Sequence, residues 1–279
     1  MVVEVTLKKA TEDRKGLLTM KALPKWLGQS LYANSSIIVF LVLWEIAPRI
    51  GWVEQTFISP PSVVLETLRE LLADGTLLKH IGVSLGRALG GFGIAAVAGI
   101  PLGFFLGGGV KLFERVATPL LRLLNAVNPF SLFPVFILLF GIGEVSKVAM
   151  IIWVCVWPVL LHTITGVKEI DPLLLKSAQS MGVKGKELFY KVILPAAAPA
   201  IFHGLKMSSG VAFFMLIAAE MIGASSGLGW LVWNAQTNYQ IPVLFAATVV
   251  ISVLGLSLHY LFGKLENKVI NWKEHTPEY

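Results

Sequence analysis

Long apolar runs, separated by short polar segments, occupy most of this chain. A helix needs about 20 mostly apolar residues to cross a bilayer, and six runs approach or reach that length. Because backbone polar groups in lipid must be satisfied within the span, each run predicts a helix. The pattern therefore predicts an all-α membrane protein with six transmembrane helices. The predicted spans are residues 31–50, 80–107, 116–140, 146–167, 196–222 and 243–262.

The segment between the first two spans, ISPPSVVLETLRELLADG, has a different pattern. Pro60 and Pro61 interrupt the chain, and Ser62 is a suitable N-cap for a helix. Leucines and valines then recur at helical spacing as far as Asp74-Gly75. We expect a short amphipathic helix that lies at the outer membrane interface as a packing element.

Composition supports a membrane location and excludes several kinds of protein. Only 14% of the residues are charged, against about a quarter in a typical soluble domain. The net charge of +6 does not require a nucleic-acid partner, since membrane proteins concentrate Lys and Arg in cytoplasmic loops. The single cysteine, Cys155, allows neither a disulfide framework nor a cysteine-based metal site. No secretory signal peptide is predicted, because no apolar core with a cleavage site follows the start.

The distribution of Lys and Arg predicts the orientation. Most lie in the N-terminal segment, the turn between spans two and three, the loop between spans four and five, and the C-terminal tail. With six spans these segments share one side, so both termini are predicted to be cytoplasmic. The corresponding regions are a cytoplasmic N-terminal segment (residues 1–30), a transmembrane domain (31–266) and a cytoplasmic tail (267–279).

The loop over residues 168–195 contains the stretch KSAQSMGVKGKELFYKVILP. Two short apolar faces are separated by Gly182 and Gly185, which disfavour a continuous helix, and Pro195 suits the entry into the fifth span. Apolar faces in water need a surface to pack against. Either they pack against the ends of the chain's own spans or they dock on a partner, and the pattern alone favours neither.

The spacing within this loop resembles the EAA loop of ATP-binding-cassette importer permeases. That loop reads E-A-A, three residues, G, nine residues and I-x-L-P, and this chain keeps the spacing throughout. Lys176 and Ser177 stand where the family has Glu and Ala, and Val192 stands where it has Ile. The positions that the resemblance assigns to coupling with an ATPase are Lys176, Ser177, Ala178, Gly182, Leu188, Leu194 and Pro195.

Other segments narrow the resemblance to the importer group for nitrate, sulfonates, taurine and bicarbonate. FPVFILLFGIGEVSK (133–147) and LIAAEMIGASSGLGWLV (216–232) are similar to segments of that group, and the resemblance covers about residues 59–272. It implies the type I importer fold, with a cytoplasmic coupling helix between spans four and five, in the inner membrane of a bacterium.

The resemblance also implies a function and partners. The chain would be a permease subunit that forms the pathway for a small, anionic solute and works by alternating access. Its partners would be two ATP-binding-cassette ATPases, a second copy of itself and an external substrate-binding protein. The sequence has no G-x-x-x-x-G-K-[ST] motif. We therefore expect no enzyme activity and no cofactor on this chain, with ATP and Mg²⁺ bound by the partner ATPases.

Polar residues inside the predicted spans are candidates for function, because ionisable groups in a membrane are costly. Arg87 and Glu220 either belong to the translocation pathway or a gate, or form a structural ion pair with each other. With an anionic cargo, Arg87 could help attract it. Lys206 is predicted to extend toward the cytoplasmic interface, and Glu45 to have a hydrogen-bonding role.

The third span contains Pro129 and Pro134 close to three polar residues, Asn125, Asn128 and Ser131. Prolines leave backbone carbonyls free, and irregular backbone is tolerated in a membrane where it is buried in protein or lines a cavity. The polar residues therefore either line the pathway or mark a simple helix kink. Asn125 and Asn128 also replace residues that are common in the importer group.

Two functions from other classes are consistent with parts of the sequence. GASSG (223–227) with His259 would suit an intramembrane serine protease, but the two lie toward opposite membrane faces in the predicted topology. A secondary transporter would need paired broken helices, and no such pairing is visible. Co-purification of an ATPase subunit would favour the importer over both.

Overall fold

The computed structural model describes residues 25–54, 56–108 and 111–270, and every regular element in these ranges is a helix. The chain divides into two compact units, one ending at Ser62 and the other beginning at Val63. In the first unit, helix α1 (Lys25–Arg49) contains most of the first predicted span. Glu45, near its end, accepts hydrogen bonds from the Ser62 backbone N–H at 3.0 Å and from the Ser62 hydroxyl at 2.9 Å. The predicted hydrogen-bonding role of Glu45 is therefore confirmed.

Further helices follow α1 along the chain. In chain order these are α2 (Pro61–Ala73), α3 (Thr76–Gly108), α4 (Lys111–Asn125), α5 (Pro129–Phe140), α6 (Glu144–Lys168), α7 (Pro172–Ser180), α8 (Gly185–Leu188), α9 (Leu194–Met221), α10 (Leu228–Thr237) and α11 (Ile241–Val269). A π-helical turn (Phe189–Ile193) joins α8 to α9. The predicted outer helix corresponds to α2. It begins at Pro61, so Ser62 lies in its first turn and is not the N-cap, because proline is favoured where an N–H has no intrahelical partner.

Four helical segments are long and apolar enough to cross a membrane in the described part of the chain: α3, α6, the continuous stretch from Gly185 to Met221, and α11. They confirm predicted spans two, four, five and six. The prediction of the third span as one continuous helix is wrong. The segments of α4 and α5 are long and apolar enough to cross a membrane only when taken together, and the chain bends by 93° between them. The Asn128 side chain caps α5 by accepting from the Phe130 N–H at 3.0 Å. Pro129 lacks an N–H with which to continue α4, and these two residues account for the break.

Small residues bring α3 close to α6. A Cβ at Gly91 would lie 2.6 Å from Ile151 Cγ2, and a Cβ at Gly103 would lie 2.5 Å from Thr163 Cβ. Close approach of backbones through small residues is a main source of helix association in lipid. The buried core shared by α3, α6 and α9 consists of Ala88, Ala95, Ile151, Cys155, Ala212 and Leu216. These three helices carry the polar site.

Gly91 and its neighbour Gly90 provide a matched test of this packing. Gly91→Ala is expected to lower the free energy of unfolding by about 1–3 kcal/mol, because the added methyl group must displace Ile151. Gly90→Ala should have no such cost, since a Cβ there meets nothing within 4 Å and alanine favours the helix. Thermal unfolding of the purified variants in detergent measures both effects. Equal midpoints for the two variants would contradict the close contact between α3 and α6.

Candidate functional site

A cluster of buried polar side chains joins α3, α9 and the turn that follows α9. Glu220, near the end of α9, is fully buried, and Arg87 on α3 is 6% exposed. Arg87 Nη1 lies 2.7 Å from Glu220 Oε1, and the Ser84 hydroxyl lies within 2.9 Å of both carboxylate oxygens. Charges removed from water need such partners. The structure thus brings the two charged candidates, Arg87 and Glu220, together as an ion pair.

The same cluster fixes the turn between α9 and α10. Three consecutive backbone N–H groups donate into it: Gly227 to His80 Nδ1 (3.0 Å), Leu228 to Ser84 Oγ (2.8 Å) and Gly229 to Glu220 Oε2 (2.9 Å). Gly227 has φ +119°, and a Cβ there would collide with the Glu220 carboxylate, so the position requires glycine. N–H groups at the start of α10, which have no intrahelical acceptor, are thereby satisfied by α3 and α9.

Arg87 also reaches the start of α6. Its Nη1 donates to the Ser226 backbone carbonyl at 2.7 Å. Its Nε and Nη2 donate to the two carboxylate oxygens of Glu144, the first residue of α6. Lys147 is buried nearby, with Nζ donating to the Gly143 carbonyl at 3.0 Å and lying 3.9 Å from Glu144. A single arginine therefore links α3, α6, α9 and the α9–α10 turn.

Sequence reasoning missed His80, Ser84 and Glu144 as members of this site. His80 and Ser84 precede Arg87 at helical spacing, which places all three on one face of α3, and this pattern was the available signal. Glu144 lies just outside predicted span four, so the cost of a charge inside the membrane does not point to it. Its position at the start of a helix, where a carboxylate is favoured, could have indicated it.

The other polar candidates lie outside this cluster. Asn125 ends α4, Asn128 caps α5 and Ser131 lies in the first turn of α5, and all three side chains are exposed in this chain. Among the described residues, no hydrogen bond joins them to Arg87 or Glu220. The helix break predicted as one alternative is therefore observed, and a role in the pathway stays a prediction. Lys206 pairs with Glu266 of α11 at 3.7 Å.

The histidine beside the 223–227 turn is His80, which accepts the Gly227 N–H. His259 lies exposed on α11, and over the ranges that the structure covers no hydrogen bond links it to a serine of the turn. The serine-protease alternative therefore has no geometric support. The described side chains also include no group of three or more His, Cys, Asp or Glu placed to hold a metal ion.

The loop after α6 folds as a capped helix, followed by a helix that continues into α9. Asp171 caps α7 by accepting from a backbone N–H two residues later at 2.8 Å. At the other end, the Val183 N–H donates to the Ala178 carbonyl and the Gly182 N–H donates to the Gln179 carbonyl. This is the Schellman arrangement, which places Gly182 at a positive φ of +88°. The turn itself therefore explains the glycine of the EAA-type motif.

The predicted coupling residues fall into two groups. The buried or half-buried ones are Ala178, Leu188, Leu194 and Pro195. The exposed ones are Lys176, Ser177 and Gly182. Among the large apolar side chains of the loop that the motif does not assign to coupling, Met181 (78%) and Leu173 (68%) are the most exposed. One part of the loop thus packs against the chain itself, and another part presents an apolar surface.

Comparison with known proteins places the chain in a family. Residues 99–271 match the family described as binding-protein-dependent transport system inner membrane component. The chain is 33% identical to the putative aliphatic sulfonates transport permease protein SsuC of Bacillus subtilis, over 84% of this chain and 85% of that protein. It is 31% identical to the taurine transport system permease protein TauC of Escherichia coli, over 85% of this chain and 88% of that protein.

A solved structure has the same fold. A chain of the MetNI methionine ABC transporter, in inward-facing conformations, aligns with a TM-score of 0.61 over 70% of this chain and 96% of that chain, at 17% identity. The resemblance carried by the 168–195 loop and its flanking segments is confirmed by the family match and by both relatives. The chain therefore belongs to the binding-protein-dependent transport system inner membrane components, the multi-pass membrane permease subunits of bacterial-type ABC importers.

Proposed function

We infer that the chain is one of two identical permease subunits of an importer for a small oxyanion, with an organosulfonate as the best-supported cargo. Family membership makes it the transport component, without a catalytic domain or cofactor of its own, and implies separate ATPases and an external binding protein. Two of its relatives are named as permeases for aliphatic sulfonates and for taurine, which supports the cargo class. Nitrate and bicarbonate are smaller members of the same class.

One observation carries the mechanism: α6 and α9 connect the coupling loop to the Arg87 cluster. The loop joins the last turn of α6 to the first turn of α9, whereas Glu144 begins α6 and Glu220 lies at the end of α9. At 1.5 Å per residue, the 25 residues of α6 extend about 37 Å. Movement of the loop, driven by ATP binding and hydrolysis in the ATPases, is transmitted along these packed helices to the segment that Arg87 holds, and this gives alternating access.

The proposed topology has six spans with both termini in the cytoplasm. Four of the spans are the helical segments that are long and apolar enough to cross a membrane, and α1 and the bent α4–α5 pair are the other two. The proposed regions are a cytoplasmic segment (1–30), a transmembrane domain (31–266) and a cytoplasmic tail (267–279), of which residues 1–24 and 271–279 lie outside the described ranges. The proposed pathway or gate residues are Arg87, Asn125, Asn128, Ser131 and Glu220.

Uptake by the reconstituted importer tests this function. The permease is purified with its ATPase and placed in proteoliposomes with ATP inside and the binding protein outside. We expect labelled taurine to accumulate, and the accumulation to require both ATP and the binding protein. Native mass spectrometry of the same complex should show two copies of this chain. Accumulation of an uncharged or cationic solute in place of sulfonates, nitrate and bicarbonate would contradict the cargo class.

A further inference from the structure

Arg87 uses the two edges of its guanidinium group differently. Nη1 donates to Glu220 Oε1 and to the Ser226 carbonyl, both at 2.7 Å. Nε and Nη2 form the other edge and donate side by side to the two oxygens of Glu144. This parallel pair of bonds is the geometry with which a guanidinium group binds planar or trigonal oxyanions in general.

The two carboxylates on Arg87 differ in how firmly they are held. The Glu220 side chain is 0% exposed and accepts from Ser84 and from the Gly229 N–H as well, so it is fixed. The Glu144 side chain is 62% exposed, and in the described part of the chain its hydrogen bonds all come from Arg87. Glu144 can therefore rotate away from Arg87 without losing any other hydrogen bond.

We propose that the Nε–Nη2 edge of Arg87 is a binding site for the oxyanion of the cargo, and that Glu144 occupies this edge as a tethered substitute when cargo is absent. The inference rests on the proposed function, since the cargo must be an oxyanion. Glu144 is then a specificity-determining residue, because only a group that replaces a carboxylate in both charge and geometry displaces it. Sulfonate, nitrate and bicarbonate groups all meet this requirement.

The charge balance supports the exchange. Arg87 and Lys147 carry two positive charges, and Glu144 and Glu220 carry two negative charges. When Glu144 turns away, one positive charge is left uncompensated, and an uncompensated charge in a buried site is costly. An anionic group, such as the sulfonate of taurine, restores local neutrality at this edge, whereas a solute without an anionic group does not. Lys147, which is 3% exposed, lies beside the vacated edge and favours the same sign of ligand.

Anion binding to the intact complex tests this site. The permease purified with its ATPase, without the binding protein, is titrated with methanesulfonate while its thermal midpoint is followed by tryptophan fluorescence. Glu144→Gln keeps the size of the side chain and removes the competing charge. It should lower the half-saturating concentration about tenfold, the factor that corresponds to the loss of one charge-assisted hydrogen bond. Dimethyl sulfone, a neutral molecule of similar shape, should produce no saturable shift.

Glu266→Gln is the matched control, because Glu266 also pairs with a basic side chain, Lys206 at 3.7 Å, and lies outside both the Arg87 cluster and the coupling loop. It should titrate as the wild type does. Glu144→Ala is a second variant that also removes the competing charge and should also bind methanesulfonate more tightly. Equal half-saturating concentrations in the wild type and both Glu144 variants would overturn the site, as would an equal response to dimethyl sulfone.

The titration and the uptake assay test different claims, so the failure of the site can be distinguished from the failure of the proposed function. If the importer accumulates taurine and Glu144→Gln leaves methanesulfonate binding unchanged, the site is overturned and the function stands. If the importer carries only an uncharged or cationic solute, the oxyanion function is overturned. The proposed cargo site at Arg87 is then overturned as well, whatever the result of the titration.

Discussion

Replacement of Glu220 by leucine is expected to destabilise the protein by about 3–5 kcal/mol, the cost of removing one partner of a buried ion pair. Three donors point at its carboxylate: Arg87 Nη1, Ser84 Oγ and the Gly229 N–H. Without Glu220 they lose their acceptor in a region closed to water, and each such loss is costly. The turn after α9 loses its anchor as well. Unfolding of the purified variant in detergent, followed by tryptophan fluorescence, measures the change.

A pair of matched variants separates this effect from the general loss of a carboxylate. Glu220→Gln keeps the shape of the side chain and should still cost on the order of 2 kcal/mol, since the buried arginine loses a charged acceptor. Glu266→Gln should cost no more than about 1 kcal/mol, because its pair with Lys206 is partly exposed and 3.7 Å long. Equal losses of stability in the two variants would contradict a structural role for the buried pair.

The double variant Arg87→Leu, Glu220→Leu separates folding from transport. Removing both partners leaves neither of them as an uncompensated charge, so the double variant should lose less stability than the sum of the two single changes. If it regains stability but transports no taurine, Arg87 and Glu220 act in the pathway or gate as well as in folding. Recovery of both properties would limit the pair to a structural role.

The spans that hydropathy predicted correctly are those in which one helix runs through the whole apolar segment. Predicted spans two, four, five and six fall in such helices, because a mostly apolar run of this length has no other stable form in lipid. The prediction of the third span as one helix was wrong because hydropathy depends on which residues a segment contains and not on their order within it. Asn128 and Pro129 end one helix and start another within an apolar stretch, and their effect is a matter of capping and of a missing N–H.

The polar cluster could be predicted only in part, for a related reason. A charge in an apolar span must have a partner, and this argument gives an Arg87–Glu220 pair as one of two alternatives, the other being a role in the pathway or gate. The identity of the further partners depends on how α3, α6 and α9 pack, and the Ser84 and Glu144 contacts join residues far apart in sequence. In the coupling loop the motif spacing located Gly182. The positive φ of Gly182 explains why this position requires glycine, and the motif spacing alone does not give that reason.

Met181→Asp is expected to weaken the binding of the ATPase subunit at least about thirtyfold, the effect of losing roughly 2 kcal/mol at the centre of an interface. Leu173, Ser177 and Met181 follow one another at intervals of four residues, so they form one stripe along α7. Leu173 and Met181 are large, apolar and mostly exposed, on a loop that the proposed topology places in water. Exposed apolar surface of this kind marks an interaction site, and a carboxylate within it would be desolvated on docking without a partner.

Gln179→Asp is the matched control for this substitution. Gln179 lies on the same helix and is also exposed, but it points away from the stripe, so the same added carboxylate should leave docking intact. Co-purification of the ATPase with each variant, and ATP-driven taurine uptake in proteoliposomes, measure the difference. The Schellman turn at Gly182 is formed by backbone groups, so Met181→Asp should preserve the thermal midpoint of the permease. If both variants retained the ATPase equally, the exposed stripe of α7 would not be the docking surface. The packing of Ala178 against the chain itself would then be the structural role that remains for this helix.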